Sequence, residues 1–273
     1  MHDLELERFG FSFVEPPVQQ AGAFRDGSCV VIHKDLDRTC ASLARFSKRD
    51  AETFRELHHR YVVELRPLLV SLMYNAPLSR DVLQDRLSGP KARELLGHAK
   101  HDLFSVVSEY FDDDRIRTLF TSYMHVITTE NVPGSGIVFP GIFANVTGFT
   151  LPDGGAIAYP LACARIVEAS GGGVRTNARV REITVSGGRA TGVVLDDGTE
   201  LTAGGFVASS IDTPGTVAMA GRELFADDVK ERLDAWHWGH HSLVTLHLAL
   251  KQAPVYRAPV SYTHLTLPTI YSV

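Results

Sequence analysis

The chain has 273 residues, with 27 basic and 32 acidic side chains, a net charge of −5 and 44% hydrophobic residues. That length suits one large domain or two smaller ones with a substantial core; the charges are mixed without a basic block, which argues against a nucleic-acid partner, and no apolar run approaches the roughly 20 residues that span a bilayer. Cys29, Cys40 and Cys163 are odd in number and far apart, so neither a disulfide framework nor a zinc site is suggested, and a cytoplasmic setting is expected, with peripheral membrane contact left open.

The first residues are charged and lack the apolar core of a signal peptide. Residues 18–24 and 28–33 read as a hairpin around Asp26-Gly27, because Asp-Gly supplies the backbone angles of a tight turn. Asp37 is expected to cap a short helix ending near Phe46. Ser47 and Asp50 have capping-box form and open a longer helix whose apolar stripe is Phe54, Leu57, Tyr61, Leu65, Leu68 and Leu72. Pro67 should kink or split it. His58 and His59 read as solvated helix histidines.

Further helices follow. Ser79 can cap residues 81–87; Pro90 suits a first helical turn and Gly97 a stop. Leu103, Val106, Val107, Tyr110 and Phe111 form one stripe, and Ile116, Leu119, Phe120 and Tyr123 another. Asp112, Asp113 and Asp114 favour the positive end of the second helix rather than a metal. Residues 131–147, with Pro133, Gly134, Gly136, Pro140 and Gly141, read as a loop.

Residues 148–210 carry the strongest order. A turn at 152–155 leads into a helix with Pro160 in its first turn and Ile157, Leu161, Ala164 and Val167 facing inward. Gly171-Gly172-Gly173 ends it, and a strand is expected over 174–185. Ser186-Gly187-Gly188-Arg189 and Asp197-Gly198 are turns of two successive hairpins. Residues 206–209 read as a buried strand of a parallel sheet. A helix with Leu233 follows, then a strand over 242–250. His237, His240, His241 and His247 lack metal-ligand spacing, and a pocket wall is the better reading for them.

The series Gly154-Gly155, Gly171-Gly172-Gly173-Val174, Val180 to Ile183, Gly192 to Gly198 and Ala203 to Ser209 resembles the phytoene-desaturase-like group of FAD-dependent oxidoreductases. The resemblance covers roughly residues 4–255. It implies an α/β (α+β) fold: an incomplete FAD-binding Rossmann-like domain with a β-meander, plus a largely helical substrate domain. The domains would be 1–147, helical substrate region with an N-terminal hairpin; 148–215, partial FAD-binding domain; 216–259, return to the substrate domain; and 260–273, a non-native tail that resembles a translated sequencing adapter.

The resemblance further implies FAD as cofactor. The strand holding Arg179 and Val180 would place the Val180 backbone against adenine, and the strand with Ala208, Ser209 and Ser210 would pass under the flavin nucleotide. Catalytic residues are not assigned. The implied reaction is hydride transfer between an apolar small-molecule substrate and flavin. The dinucleotide fingerprint GxGxxG is absent: Gly134-Ser135-Gly136-Ile137-Val138-Phe139 lacks the third glycine and follows no strand. The sequence therefore reads as the middle of an enzyme, inactive alone. Two alternatives stand beside it, an amine-oxidase-like flavoenzyme fragment and a non-catalytic helical binding domain.

Overall fold

Apolar and small residues over Val18–Ala23 (β2) and Cys29–His33 (β3) pair antiparallel as a hairpin, with Gly27 at its turn at φ 81°. Asp26 accepts from the Ser28 N–H and hydroxyl at 2.9 and 2.6 Å, which closes the turn from the side. This hairpin belongs to a computed structural model that describes residues 4–73, 79–123, 130–238 and 251. A shorter ribbon joins Phe13–Val14 (β1) to Leu151–Pro152 (β4). The chain divides into two units, 1–162 with 241–273, and 163–240.

The first unit is mostly helical. Its helices are Leu36–Ala44 (α1), Lys48–His58 (α2), Arg66–Met73 (α3), Arg80–Arg86 (α4), Pro90–Gly97 (α5), Leu103–Tyr110 (α6), Asp114–Thr121 (α7) and Phe139–Asn145 (α8). Asp35, not Asp37, caps α1, accepting from the Arg38 N–H at 2.8 Å. Asp37 instead reaches Arg55 at 2.7 Å. Helix starts at Asp102, Asp113 and Ser47 are capped by their own side chains, as aspartate and serine at such positions should be.

Three sequence expectations need correction here. The Ser47 hydroxyl accepts from the Asp50 N–H, but the Asp50 carboxylate does not complete a capping box. It is fully buried and accepts from the backbone N–H groups of Asp112 and Asp113 at 2.8 to 3.0 Å. It therefore ties the start of α2 to the start of α7, satisfying donors that a helix start leaves open. Of the kink or split expected at Pro67, only the split is overturned: residues His59–Leu65 widen into a π-helical stretch that runs on from α2 into α3. The proline ring collides with the carbonyl four residues back, Val63, and a widened turn makes room there.

The third correction is the loop expected over 131–147. Residues Ser135–Val138 form a 3-10 turn and α8 follows, with Pro140 in its first turn. Glycine and proline suggested irregular chain, but proline is harmless at a helix start. Phe139, Ile142, Phe143 and Val146 are buried and fill the core. Phe143 packs against Phe54, Phe111, Phe120, Tyr61 and Phe139 with ring centroids 4.8 to 6.0 Å apart. That aromatic cluster, with Leu43, Leu57, Leu65, Leu103 and Ile116 around it, is the centre of the first unit.

The division between units falls inside Ala158–Ala169 (α9). Gly171, at φ 80°, ends this helix as expected. Its expected inward face is not buried: Ile157, Leu161 and Val167 are 61%, 48% and 39% exposed, and Ala162 is the buried residue. The second unit continues with Val180–Ser186 (β5), Arg189–Leu195 (β6) and Glu200–Thr202 (β7), an antiparallel meander in that order. Gly187 and Gly188, at φ 57° and 75°, form the first turn, as a two-residue hairpin of the mirror type requires. Thr213–Ala220 (α10) and Asp227–Asp234 (α11) complete it. The expected strand over 242–250, with His240, His241 and His247, and the tail 260–273 lie outside the described residues.

Two expected strand segments are corrected in this unit. Residues 174–179 are not in a strand, and Asn177 sits at φ 53°; a left-handed residue stops an extended run. Residues 206–210 form no strand either, and Phe206 is 82% exposed. A strand needs a neighbour to pair with its backbone, and among the described residues none flanks this segment.

Candidate functional site

The outer edge of the meander carries Arg179 and Val180. The Asp196 N–H donates to the Arg179 carbonyl at 2.9 Å, tying the start of β5 to the end of β6. The peptide between Arg179 and Val180 is trans, so its N–H points opposite to its carbonyl. The Val180 N–H is therefore turned away from β6, onto the outer side of β5. Among the described residues no strand pairs with that side. The register shifts between Val180 and Glu182, a bulge of the kind that re-aims a strand.

Arg179 sets the flank of this edge. Its side chain is 86% exposed and its Nε lies 3.7 Å from an Asp196 carboxylate oxygen. An exposed pair of that length contributes little to stability but leaves a cation beside the free backbone donor. The Thr199 N–H donates to Asp197 at 2.9 Å and holds that carboxyl below its ordinary range, fixing the turn that follows.

Ala208, Ser209 and Ser210 lie in an exposed segment of the same unit that is neither helix nor strand. Small residues there leave the backbone approachable. The Ser209 hydroxyl is engaged locally, 2.7 Å from the Thr216 hydroxyl, and also accepts from the Ile211 N–H at 3.3 Å. The Ser209 side chain is thus occupied within its own segment and α10. Sequence reasoning missed two partners. Asp196 faces Arg179 because the hairpin alternates, and Thr216 follows Ser209 by one turn into α10.

The first unit holds a separate cleft of about 550 Å³ beside the π-helical stretch, lined by Leu57, Leu65, Tyr110, Arg60 and Glu94 among others. Arg60 and Glu94 are 2.5 Å apart and His59 Nδ1 lies 3.3 Å from a Glu64 carboxylate oxygen, and Arg55 and Glu56 line the same cleft. Behind it the buried Tyr61 hydroxyl and His98 Nε2 are 2.8 Å apart. Burial pushes the Tyr61 phenol up and the His98 imidazole down. These groups tie the π-helical stretch to α5 and the turn that follows it. Among the described residues no cluster of three or more His, Cys, Asp or Glu side chains could hold a metal.

No protein-family model matches the chain. Curated proteins do, among them the following two. A limonene dehydrogenase subunit from Castellaniella defragrans is 26% identical over 270 residues, 94% of this chain and 49% of that protein. Hydroxyneurosporene desaturase of Cereibacter sphaeroides is 28% identical over 226 residues, 79% of this chain and 45% of that protein. The chain is thus similar to two proteins named as a dehydrogenase subunit and a desaturase. It spans about half the length of these relatives. The mixed helical and sheet architecture is compatible with that kinship. Among the described residues no helix is long and apolar enough to cross a membrane.

Proposed function

We propose that the protein carrying this chain is an FAD-dependent oxidoreductase of the phytoene dehydrogenase/desaturase kind, acting by hydride transfer between an apolar substrate and flavin. The observation that carries the reading is the relation, along 94% of the chain, to a protein named as part of a limonene dehydrogenase. A terpene hydrocarbon and a carotenoid, named in the two relatives, share a chemistry: an apolar isoprenoid skeleton that loses hydrogen. The cytoplasmic location, with peripheral contact to membrane where such substrates dissolve, is part of the same proposal.

The chain's own residues fit FAD at one end. The outward N–H of Val180 would donate to an acceptor nitrogen of adenine, as the backbone edge of a strand can match a base edge. Arg179 would lie beside it. Ala208, Ser209 and Ser210 would let the nucleotide approach the backbone closely. Bound flavin supplies the hydride acceptor; the protein supplies position and polarity. The assignment supported by the residues here is cofactor holding, and no proton transfer is attached to any side chain.

The test is direct. The protein is purified with its natural flanking sequence, the cofactor is released and identified, and the holoprotein is mixed anaerobically with a monoterpene hydrocarbon. FAD release and bleaching of the flavin absorbance are expected. A protein that folds and yields no flavin overturns the proposal.

A further inference from the structure

We propose that the seam between β2 and α7 in the first unit binds one ordered water molecule, which bridges the Tyr123 hydroxyl and the Gln20 side chain. Register places Gln20 at this seam. It stands opposite Ile32, and Gly22 stands opposite Val30; residues directly opposed across an antiparallel pair share a face. Val30 and Ile32 belong to the helical core, whereas Val18, Ala21, Cys29 and Val31 form a separate cluster. Gln20 therefore projects toward the helices.

Helix α7 packs on β2 and β3 and runs from the hairpin turn toward Gln20. Near its start Arg115 reaches Asp26 and Ser28 in the turn, at 2.5 and 3.1 Å. One turn on, Leu119 packs at Gly22, where its Cδ1 would lie 3.4 Å from an added Cβ. Tyr123 follows Leu119 by four residues on the same helical stripe. A helical turn advances about 5.4 Å and two strand residues about 7 Å, so the next level brings Tyr123 to Gln20. Phe149 gives the same placement independently. Its ring centroid is 6.3 Å from that of Tyr123, and its N–H donates to Gln19, the neighbour of Gln20, at 2.7 Å.

Both side chains carry a polar atom out of solvent. Tyr123 is 7% exposed, and neither its hydroxyl nor Gln20 Oε1 has a hydrogen-bond partner among the described residues. Burial is the one cause that pushes the Tyr123 phenol up, as expected of a hydroxyl that no neighbouring group engages. Two such atoms lose their hydration on folding, and a water molecule with polar partners restores it. Water both donates and accepts, so it serves the phenol and either orientation of the Gln20 amide. An ion set between two neutral groups would lose hydration without compensation.

The test is a crystal structure of the full chain, alongside urea unfolding of Tyr123→Phe, Gln20→Met and the double variant. An ordered oxygen within about 3.2 Å of both side chains is expected. Each single variant should lower the urea midpoint at unchanged slope, and the double variant should lose less than the sum of the two. Removing a hydroxyl that holds nothing would instead leave the midpoint unchanged or raise it. A direct hydrogen bond between Tyr123 and Gln20 would give the same coupling, and the crystal structure separates the two cases. The wild-type structure stands whether or not the variants fold. No ordered oxygen between the two side chains, a direct bond between them, or a Tyr123→Phe midpoint at or above that of the wild type would each overturn the proposal.

Discussion

Asp50 shows how one side chain can fix two helices. Its buried carboxylate accepts from two backbone N–H groups on the chain entering α7. Charge-assisted bonds of this kind contribute more than neutral ones. Asp50→Ala is expected to lower stability by about 2–3 kcal/mol, read from denaturant midpoints at unchanged slope. A loss under about 0.5 kcal/mol would contradict the tie. The sequence placed Asp50 in a local capping box because spacing reports neighbours along the chain; a partner 62 residues away leaves no such trace.

Histidine burial adds a pH dependence at the same scale. His33, His58 and His98 are each shifted below the ordinary imidazole value, with burial the largest cause. For His98 the carboxylates of Glu94 and Glu109 oppose the shift, and Arg60 and His101 reinforce it. A histidine that binds its proton less readily when folded adds stability above its unfolded value, near 6.5, and loses it as pH falls below that value. Urea midpoints should therefore decline from pH 7 toward pH 5, and His98→Gln should reduce the slope. A flat profile would contradict neutral burial.

At the scale of elements, the close approach of two turns is the sharpest constraint. A Cβ at Gly136 would lie 2.4 Å from the His98 carbonyl oxygen and 2.9 Å from that of His101. The Gly134 and Gly136 N–H groups both donate to the His101 carbonyl, at 3.1 and 3.0 Å. Gly136→Ala must separate backbone from backbone, and a loss of about 2–4 kcal/mol is expected, seen as a lower melting temperature. Gly141→Ala, with nothing within 4 Å of its added atom, is the control and should be neutral or stabilising. Equal melting temperatures for the two variants would contradict the packing.

The elements that the sequence made legible were those with local signals. The hairpin around Gly27, the turn at Gly187-Gly188, the caps at Ser47 and Asp113 and the stop at Gly171 all depend on residues within four positions of one another. The meander was readable for that reason. Helix α8 was not, since Gly134, Gly136 and Pro140 suggested loop chemistry while the burial of Phe139 and Phe143 is set by distant rings. The segments 174–179 and 206–210 failed in the opposite sense. Their apolar residues suit strands, but strand identity resides in the neighbour, and none is present among the described residues.

At the scale of the whole molecule, the two units divide the candidate roles. The first is a helical body around an aromatic core. The second carries the outer edge of β5. Kinship to dehydrogenase and desaturase relatives could be read from the ordered glycine series. The direction of the Val180 N–H could not, because it depends on which peptide of the hairpin faces inward.

That direction gives the most direct measurement. Val180 is the first residue of β5, where proline is tolerated because its missing N–H faces off the ladder. FAD affinity is measured by flavin fluorescence for the natural-length protein and for Val180→Pro, alongside melting temperature. The expected result is FAD binding that weakens about three- to tenfold in the variant, with the melting temperature of the apoprotein unchanged. Identical FAD affinity in the two proteins, or no FAD binding by the folded wild type, would contradict the assignment of this edge to the cofactor.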